Sequence, residues 1–170
     1  MGFRSHSRRG FTLTELIITL TIIAVLAAAI IPLAKNSVKR GKEIELARVL
    51  RQMREAIDLY KKMADENKIE VEDDSEELNG YPATLDVLVK GVPVRQESEE
   101  GEEAGSASTG TKIMKFLRRV PKDPMTNSYD WGLRSYQDDA KSDRWGGENV
   151  YDVCTKSAGT ALDGSKYREW

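Results

Sequence analysis

Close to its start the chain has a nearly continuous apolar run, and beyond it apolar and charged residues alternate with a helical spacing. The apolar run extends from Leu16 to Ala34. As a helix it would be about 28 Å long, which is enough to cross the hydrocarbon core of a membrane. The pattern therefore predicts a membrane-spanning helical segment near the start of the chain.

Beyond Ala34, apolar residues recur every three or four positions with charged residues between them. The recurring positions are Leu46, Val49, Leu50, Met53, Ala56, Ile57, Tyr60 and Ala64. This spacing places them on one face of a helix, and we expect that face to pack on the chain's own globular part. One helix is predicted from about Phe11 to about Asp65, interrupted or loosened near Pro32, where the backbone lacks an N–H.

The second half of the chain predicts a small domain of mixed structure. Glu66 to Asn79 is expected to be a loop. Thr84 is a candidate cap for a short helix that ends at Gly91, since glycine commonly terminates helices. Two strands are predicted, Tyr129 to Tyr136 and Asn149 to Thr155.

Residues Gln96 to Thr111 form a tract of glutamate, glycine and serine. Such a composition buries little apolar surface, so we expect an exposed loop. Its glutamates are Glu97, Glu99, Glu100, Glu102 and Glu103. Calcium binding is the alternative, but their spacing matches no fixed ligand loop.

Composition excludes several classes of function. The 170 residues carry a net charge of −2, and an acidic chain argues against general nucleic-acid binding. The single histidine, His6, lies in the first ten residues, and no phosphate loop or nucleophile elbow is present. Asp138 and Asp139 lie in a polar stretch where solvation explains them. We therefore expect no enzymatic activity.

The chain has one cysteine, Cys154. An intramolecular disulfide is therefore excluded, although the domain is expected in an oxidising compartment. The alternating apolar neighbours of Cys154 predict a buried strand position for a small core residue rather than a reactive thiol.

Glu15 is the residue that does not suit an ordinary membrane span. A carboxylate in apolar membrane surroundings costs about 2.5–3.5 kcal/mol, so it needs a partner. The neighbouring apolar sequence contains no cation, but cleavage after Gly10 would create a positive amine on Phe11. A staggered neighbouring chain could offer that amine to Glu15. The pattern therefore predicts a device for self-assembly.

The segment Gly10-Phe11-Thr12-Leu13-Thr14-Glu15-Leu16, preceded by basic residues, resembles the class III signal sequence of type IV pilins and type II secretion pseudopilins. The resemblance implies cleavage after Gly10 by a prepilin peptidase and N-methylation of Phe11. It also implies that Glu15 sets the register between subunits of a helical filament. Pro32 matches a proline near which the helix loosens in assembled filaments.

Three other interpretations of this segment remain open. A secretory signal would also have a basic start, with Ala27-Ala28-Ala29 as a cleavage site. Ser7-Arg8-Arg9-Gly10-Phe11 is similar to a twin-arginine signal, and a plain single-pass anchor is the third alternative. Glu15 is out of place in a signal core, which favours the pilin-type leader.

Two further stretches resemble the major pseudopilin (G-type) of type II secretion systems. They are Tyr81-Pro82-Ala83-Thr84-Leu85-Asp86-Val87-Leu88 and Phe116-Leu117-Arg118-Arg119-Val120-Pro121-Lys122-Asp123-Pro124. The prolines of the second stretch fix an extended connection, and Asp123 can cap its turn. The chain departs from the family in its acidic insertion and in Met125-Thr126, where the family has Trp-Gly. The absence of a second cysteine favours a pseudopilin over a disulfide-stapled pilin.

The resemblance also implies a calcium ion in the C-terminal loop. Asp163 is the residue that aligns as a ligand, whereas calcium requires six to eight oxygens. The alternative is a metal-free Asp-Gly turn that fixes the tail, with Tyr167 and Trp170 packed on the sheet.

The resulting prediction is an α+β, type IV pilin-like chain with a long N-terminal helix and a small head containing a short antiparallel sheet. Residues 1–10 form a cleaved leader, 11–34 the transmembrane half of the helix and 35–66 its amphipathic half. Residues 67–170 form the head, with an acidic loop at 96–111.

The implied function is that of a structural subunit of a type II secretion pseudopilus, which polymerises at the inner membrane to drive export of folded proteins. Implied partners are further copies, the prepilin peptidase/N-methyltransferase, minor pseudopilins and the inner-membrane assembly platform. The expected topology is single-pass, with a cytoplasmic N-terminus and a periplasmic head. The alternatives are a type IV or competence pilin, or a membrane-anchored periplasmic binding module that never polymerises.

Overall fold

The computed structural model describes residues 10–71, 78–95, 112–139, 142 and 144–170, with the backbone alone at 29 and 31–33. The chain divides into two compact units, Met1–Gly41 and Lys42–Trp170. The predicted leader up to residue 9 and the acidic tract 96–111 lie outside the described residues.

The first long element is helix α1, Leu13–Asp65, which confirms the predicted helix. The helix begins after Thr12, whose hydroxyl accepts a hydrogen bond from the Glu15 N–H at 3.2 Å. This is the bond of an N-cap residue to the third helical position. The expected interruption is wrong, because the α1 backbone continues through Pro32 and Gly41.

Among the residues that the structure describes, no helix combines the length and the apolar character needed to cross a membrane.

The second unit forms its core on one face of α1. Seven of the eight predicted positions are buried, from Leu46 to Tyr60, while Ala64 is half-buried. Tyr60 contacts Phe116 edge to face, with ring centroids 5.2 Å apart. The predicted apolar face therefore packs on the head, as the spacing requires.

The short helix α2, Leu85–Lys90, follows Thr84 and ends at Gly91. Both ends match the prediction, but the Thr84 side chain forms no capping hydrogen bond. Gly91 has φ +84°, and a Cβ there would collide with the main-chain oxygen of Met114. Glycine is therefore required by both the backbone conformation and the close approach.

Within the described residues, four short strands form two antiparallel pairs. Strand β1, Val92–Pro93, pairs with β2, Ile113–Met114. Strand β3, Gly132–Arg134, pairs with β4, Asp152–Cys154, with Leu133 opposite Val153. A final 3-10 turn covers Tyr167–Glu169. The two predicted strands are therefore present but shorter, and the β1–β2 pair is an addition to the prediction.

Cys154 is half-buried, so the prediction of a buried position is wrong. The reason is strand alternation: Val153 faces the core and is fully buried, which turns Cys154 to the opposite face. On that face it lies beside Gly132, where an added Cβ would be 2.6 Å from the Cys154 Sγ.

Candidate functional site

The processing site predicted at Gly10 and Phe11 lies at the exposed start of the chain's described part. A Cβ on Gly10 would meet nothing within 4 Å. Phe11 is 80% exposed and precedes the first helical residue, Leu13. A peptidase would therefore reach the bond between them without unfolding α1.

Glu15 occupies the first turn of α1 with its side chain exposed. Its backbone N–H is satisfied by Thr12, so the residue has a local role in starting the helix. In the described part of the chain, its carboxylate forms no hydrogen bond or ion pair. The N-terminal end of a helix carries a partial positive charge. It therefore favours the negative charge of Glu15 and disfavours a positively charged amine nearby.

Between Leu13 and Ile30, the first unit presents many exposed large apolar side chains. Exposure runs from 51% at Leu16 to 76% at Leu13 for the large apolar residues. The others are Ile17, Ile18, Leu20, Ile22, Ile23, Val25, Leu26 and Ile30. An exposed apolar surface of this extent marks an interaction site.

Beyond Glu15, two hydroxyl groups interrupt this apolar surface. Thr19 donates to the Leu16 carbonyl at 2.9 Å, and Thr21 donates to the Ile17 carbonyl at 2.8 Å. Because the helix itself satisfies both hydroxyls, neither needs water as an acceptor. The segment is therefore suited to apolar surroundings. Pro32 lies within α1, where the structure gives only its backbone.

The Pro-Lys-Asp-Pro stretch is held by Asp123, which is fully buried. Its carboxylate accepts hydrogen bonds from the Met125 N–H at 2.8 Å, the Thr126 hydroxyl at 2.8 Å and the Thr155 hydroxyl at 2.5 Å. The predicted capping of the turn is confirmed. The bond to Thr155 adds a tie to the end of β4 that the sequence did not indicate.

Asp163 lies in an exposed Asp-Gly turn. Its Oδ1 accepts from the Ser165 N–H at 2.9 Å and from the Ser165 hydroxyl at 2.7 Å. These two bonds lower the pKa of the Asp163 carboxyl. Gly164 follows with φ +92°, as such a turn requires.

The donor set around Asp163 is that of a turn rather than a complete calcium site. Across the described ranges, no group of three or more His, Cys, Asp or Glu side chains could hold a metal ion. Asp163 would contribute one carboxylate, and the remaining oxygens would have to come from carbonyls or water. Calcium at Asp163 stays a prediction.

The C-terminal loop is tied to α1 by two charged residues that sequence reasoning missed. Glu43 accepts hydrogen bonds from the Leu162 N–H and the Tyr167 hydroxyl, each at 2.8 Å. Burial of the phenol raises the pKa of Tyr167 to about 12, and the hydrogen bond to the Glu43 carboxylate adds to this rise. Trp170 packs edge to face on Tyr167 at 5.4 Å. The predicted packing of the tail is therefore present, with Tyr167 buried.

Arg54 provides the second tie. Its Nε donates to Asp152 at 2.7 Å, and its terminal nitrogen donates to the Trp170 main-chain oxygen at 2.7 Å. Arg54 lies eleven residues after Glu43, which is about three helical turns and returns it to the same face of α1. This spacing was the one signal in the sequence that the two residues share a face. In the sequence alone, however, Glu43 and Arg54 look like ordinary solvent-exposed charged residues.

Comparison with known proteins bears on the exposed N-terminal segment. Residues 5–31 match the family model of the prokaryotic N-terminal methylation motif. Over 132 residues the chain is 27% identical to the type II secretion system core protein G of Pectobacterium carotovorum subsp. carotovorum. That similarity covers 75% of this chain and 69% of the relative. No solved structure matches the chain.

The prepilin-type methylation motif and the similarity to core protein G over most of the chain together support a type II pseudopilin. The recognition made from the N-terminal motif is confirmed, as is the pilin-like α+β fold. Pseudopilins are structural subunits, so the prediction that the chain is not an enzyme is also confirmed. The motif further implies that the chain is a substrate of a prepilin peptidase.

Proposed function

We propose that this pseudopilin is the polymerising subunit of a type II secretion pseudopilus that drives export of folded proteins. A prepilin peptidase/N-methyltransferase would cut after Gly10 and methylate Phe11. The subunit would wait in the inner membrane, with its N-terminus cytoplasmic and its head periplasmic. Minor pseudopilins and an inner-membrane assembly platform would then direct its incorporation into the filament.

The observation that carries this proposal is the combination at the start of α1 of an apolar surface and an unpaired carboxylate. The described large apolar side chains from Leu13 to Ile30 are at least half exposed, and Glu15 lies among them. Helix packing between copies would cover the apolar surface. Because lipid already surrounds this surface in the membrane, association there would be driven by close van der Waals packing of the helices.

The partner for Glu15 in this arrangement is the Phe11 amine of another copy. Cleavage places that amine at the N-terminal end of α1, where the helix dipole disfavours a positive charge. Contact with a second copy's Glu15 would compensate the amine at the helix end and the carboxylate in its apolar surroundings. An ion pair between copies is strengthened by the low dielectric of apolar surroundings, which also makes an unpaired charge costly there. The pair would therefore select a fixed register between neighbouring copies.

Replacing Glu15 with valine tests this role. Glu15→Val removes a carboxylate that is costly in a membrane, so membrane insertion should be unchanged or improved. Assembly should be impaired, because the incoming Phe11 amine loses its counter-charge. The measurement is the yield of cross-linked oligomers in membrane fractions, together with the amount of inserted protein.

Glu55→Val is a matched control, since Glu55 is an exposed glutamate of α1 in the second unit. It should assemble like the unaltered chain. Normal oligomer yield from Glu15→Val would contradict the proposed pairing. An unaltered chain that never forms oligomers would instead favour the non-polymerising membrane-anchored binding module.

A further inference from the structure

Three cations directly follow the exposed apolar surface of α1. That surface runs from Leu13 to Ile30, and Lys35, Lys39 and Arg40 come five to ten residues after its end. We call these three residues the basic cluster. They belong to the first of the two compact units. At 1.5 Å per residue, the basic cluster begins about 8 Å beyond Ile30 along the helix.

The chain supplies no anion to the basic cluster. Residues 16–42 contain no aspartate or glutamate. The next acid, Glu43, accepts its hydrogen bonds from the C-terminal loop. In the part of the chain that the structure describes, the side chains of the basic cluster form no hydrogen bond or ion pair. Its positive charge is therefore uncompensated.

Two members of the basic cluster repel each other. Lys35 and Lys39 are four positions apart in α1, which makes them neighbours on one face of the helix. Like charges at this spacing destabilise a helix, so an anion beside them would be stabilising. Lys35 and Arg40 are exposed, and Lys39 is half-buried. An anion from outside the chain can therefore reach the basic cluster.

The order of the two surfaces along α1 matches the cross-section of a membrane. A bilayer presents its hydrocarbon core and then its polar headgroups. Lysine and arginine at this boundary extend their apolar stems along the lipid chains and place their charged ends among the headgroups. Anionic headgroups attract such cations over about one Debye length.

The proposed topology places the basic cluster on the side of the membrane where lysine and arginine are less frequent. These residues usually flank the cytoplasmic end of a membrane span. On the cytoplasmic side the chain has Arg4, Arg8 and Arg9, which cleavage after Gly10 would remove. The processed chain would then carry its flanking lysines and arginines at the periplasmic end. An anionic membrane surface would compensate this unusual distribution.

We propose that the basic cluster binds the anionic headgroups of phospholipids in the periplasmic leaflet of the inner membrane. This inference rests on the proposed membrane location of the subunit and adds a lipid partner to it. A second copy is a poorer occupant, because its residues 16–42 bring further cations and no acid. The lipid contact holds the subunit at a fixed depth in the membrane before it enters the filament.

The lipid selectivity of the full-length chain tests the contact. The chain is reconstituted in phosphatidylcholine vesicles that contain spin-labelled phosphatidylglycerol or spin-labelled phosphatidylcholine. Electron paramagnetic resonance gives the ratio of the two association constants. The unaltered chain should prefer phosphatidylglycerol. The variant Lys35→Gln/Lys39→Gln/Arg40→Gln should lower this preference at least about fivefold, which is the contribution of about one cation at an anionic surface.

The preference should depend on charge alone. Lys35→Arg/Lys39→Arg/Arg40→Lys keeps the charge and should keep the preference. Molar sodium chloride should abolish the preference of the unaltered chain, since it shortens the Debye length to about 3 Å. At lower concentrations, sodium phosphate should act no more strongly than sodium chloride of equal ionic strength. A stronger effect of phosphate would identify a site for free phosphate and overturn the proposal.

The matched control is Arg51→Gln/Lys62→Gln/Arg119→Gln, which removes equal charge from exposed positions of the second unit. It should keep the preference, and all variants should resist alkaline extraction from the vesicles equally. An unchanged preference in the basic-cluster variant would overturn the proposal. If that variant instead loses cross-linked oligomers at unchanged preference, another copy occupies the basic cluster, which also overturns it.

Failure of the proposed function is separable from failure of this inference. An unaltered chain that prefers phosphatidylglycerol but never forms oligomers contradicts the polymerisation and supports the lipid contact. An unaltered chain that is inserted and forms oligomers but shows no preference contradicts the lipid contact alone. Extraction of the unaltered chain at alkaline pH contradicts both, because the membrane location is then wrong.

Discussion

The Tyr167 hydroxyl donates a 2.8 Å hydrogen bond to Glu43, which lies 124 residues earlier in the chain. Glu43 also accepts the Leu162 N–H through the same oxygen. One carboxylate at the beginning of the second unit therefore fixes two points of the C-terminal loop. Hydrogen bonds to charged groups contribute about 1.5–3 kcal/mol, more than neutral ones.

Removal of the Tyr167 hydroxyl should destabilise the second unit. Tyr167→Phe keeps the buried ring but loses the bond to Glu43, so we expect unfolding free energy to fall by about 1–2 kcal/mol. Urea denaturation of the fragment 42–170 measures this change. Tyr129→Phe is the control, because Tyr129 is 65% exposed and its loss should cost less than about 0.5 kcal/mol. Equal stability of the two variants would contradict the role of the bond.

The same residue predicts a dependence of stability on alkaline pH. The folded-state pKa of Tyr167 is raised to about 12, above the unfolded value near 10. The associated stability is fully present below pH 10 and is lost as pH rises through the folded pKa. The stability difference between the unaltered fragment and Tyr167→Phe should therefore shrink between about pH 10 and pH 12. A difference that is constant across this window contradicts the raised pKa.

Asp123 should be one of the most sensitive polar positions of the head. Asp123→Ala leaves the Met125 N–H and the Thr155 hydroxyl without their acceptor in a buried site, so we expect a loss of about 2–4 kcal/mol. Thermal or urea unfolding of the fragment 42–170 measures it. Asp130→Ala removes only an exposed ion pair with Lys156 and should cost less than about 1 kcal/mol. If Asp123→Ala and Asp130→Ala lose similar unfolding free energy, the burial of Asp123 does not increase its contribution to stability.

Calcium at Asp163 is predicted to be weak. Binding would compete with the two hydrogen bonds from Ser165, so a millimolar-range site is the expectation. The melting temperature of the fragment 42–170 should rise from chelator to several millimolar calcium. Asp163→Ala should abolish that rise. If the unaltered fragment melts at the same temperature in chelator and in calcium, Asp163 lies in a turn that binds no metal.

Processing should remove the first ten residues. Intact-mass analysis of the membrane-extracted protein should give a chain that begins at Phe11 and carries one methyl group. Replacing Gly10 with a large residue should leave the leader attached, because the small residue before the cleaved bond is lost. A mature N-terminus near Ala29 would instead indicate a conventional secretory signal.

The sequence predicted well those features that depend on local periodicity. The three- and four-residue spacing from Leu46 to Tyr60 was sufficient to place the buried face of α1, since helix geometry alone determines it. The end of α2 at Gly91 was predictable for the same local reason, a positive φ. The start of α1 was likewise predicted, close to Phe11, within the segment Gly10 to Leu16.

Features that depend on distant contacts were not predictable. Strand β1 has two residues, too few to show alternation, and its pairing with β2 crosses the acidic tract. Ile69 stands in a polar stretch, yet it is buried and bridges to Val94. Glu43 and Arg54 resemble any charged helix residues, because their partners lie about a hundred residues away.

The ties from α1 to the last residues affect how the head forms during synthesis. Arg54 binds the Trp170 main-chain oxygen 116 residues later in the chain. At ribosomal rates of about 5–20 residues per second, α1 is complete roughly 5–20 s before that partner exists. During this interval the stripe from Leu46 to Tyr60 lacks part of its cover, so the nascent chain presents an apolar helix face to chaperones. The synthesis of Trp170 therefore sets the earliest moment at which this tie between α1 and the C-terminal loop can form.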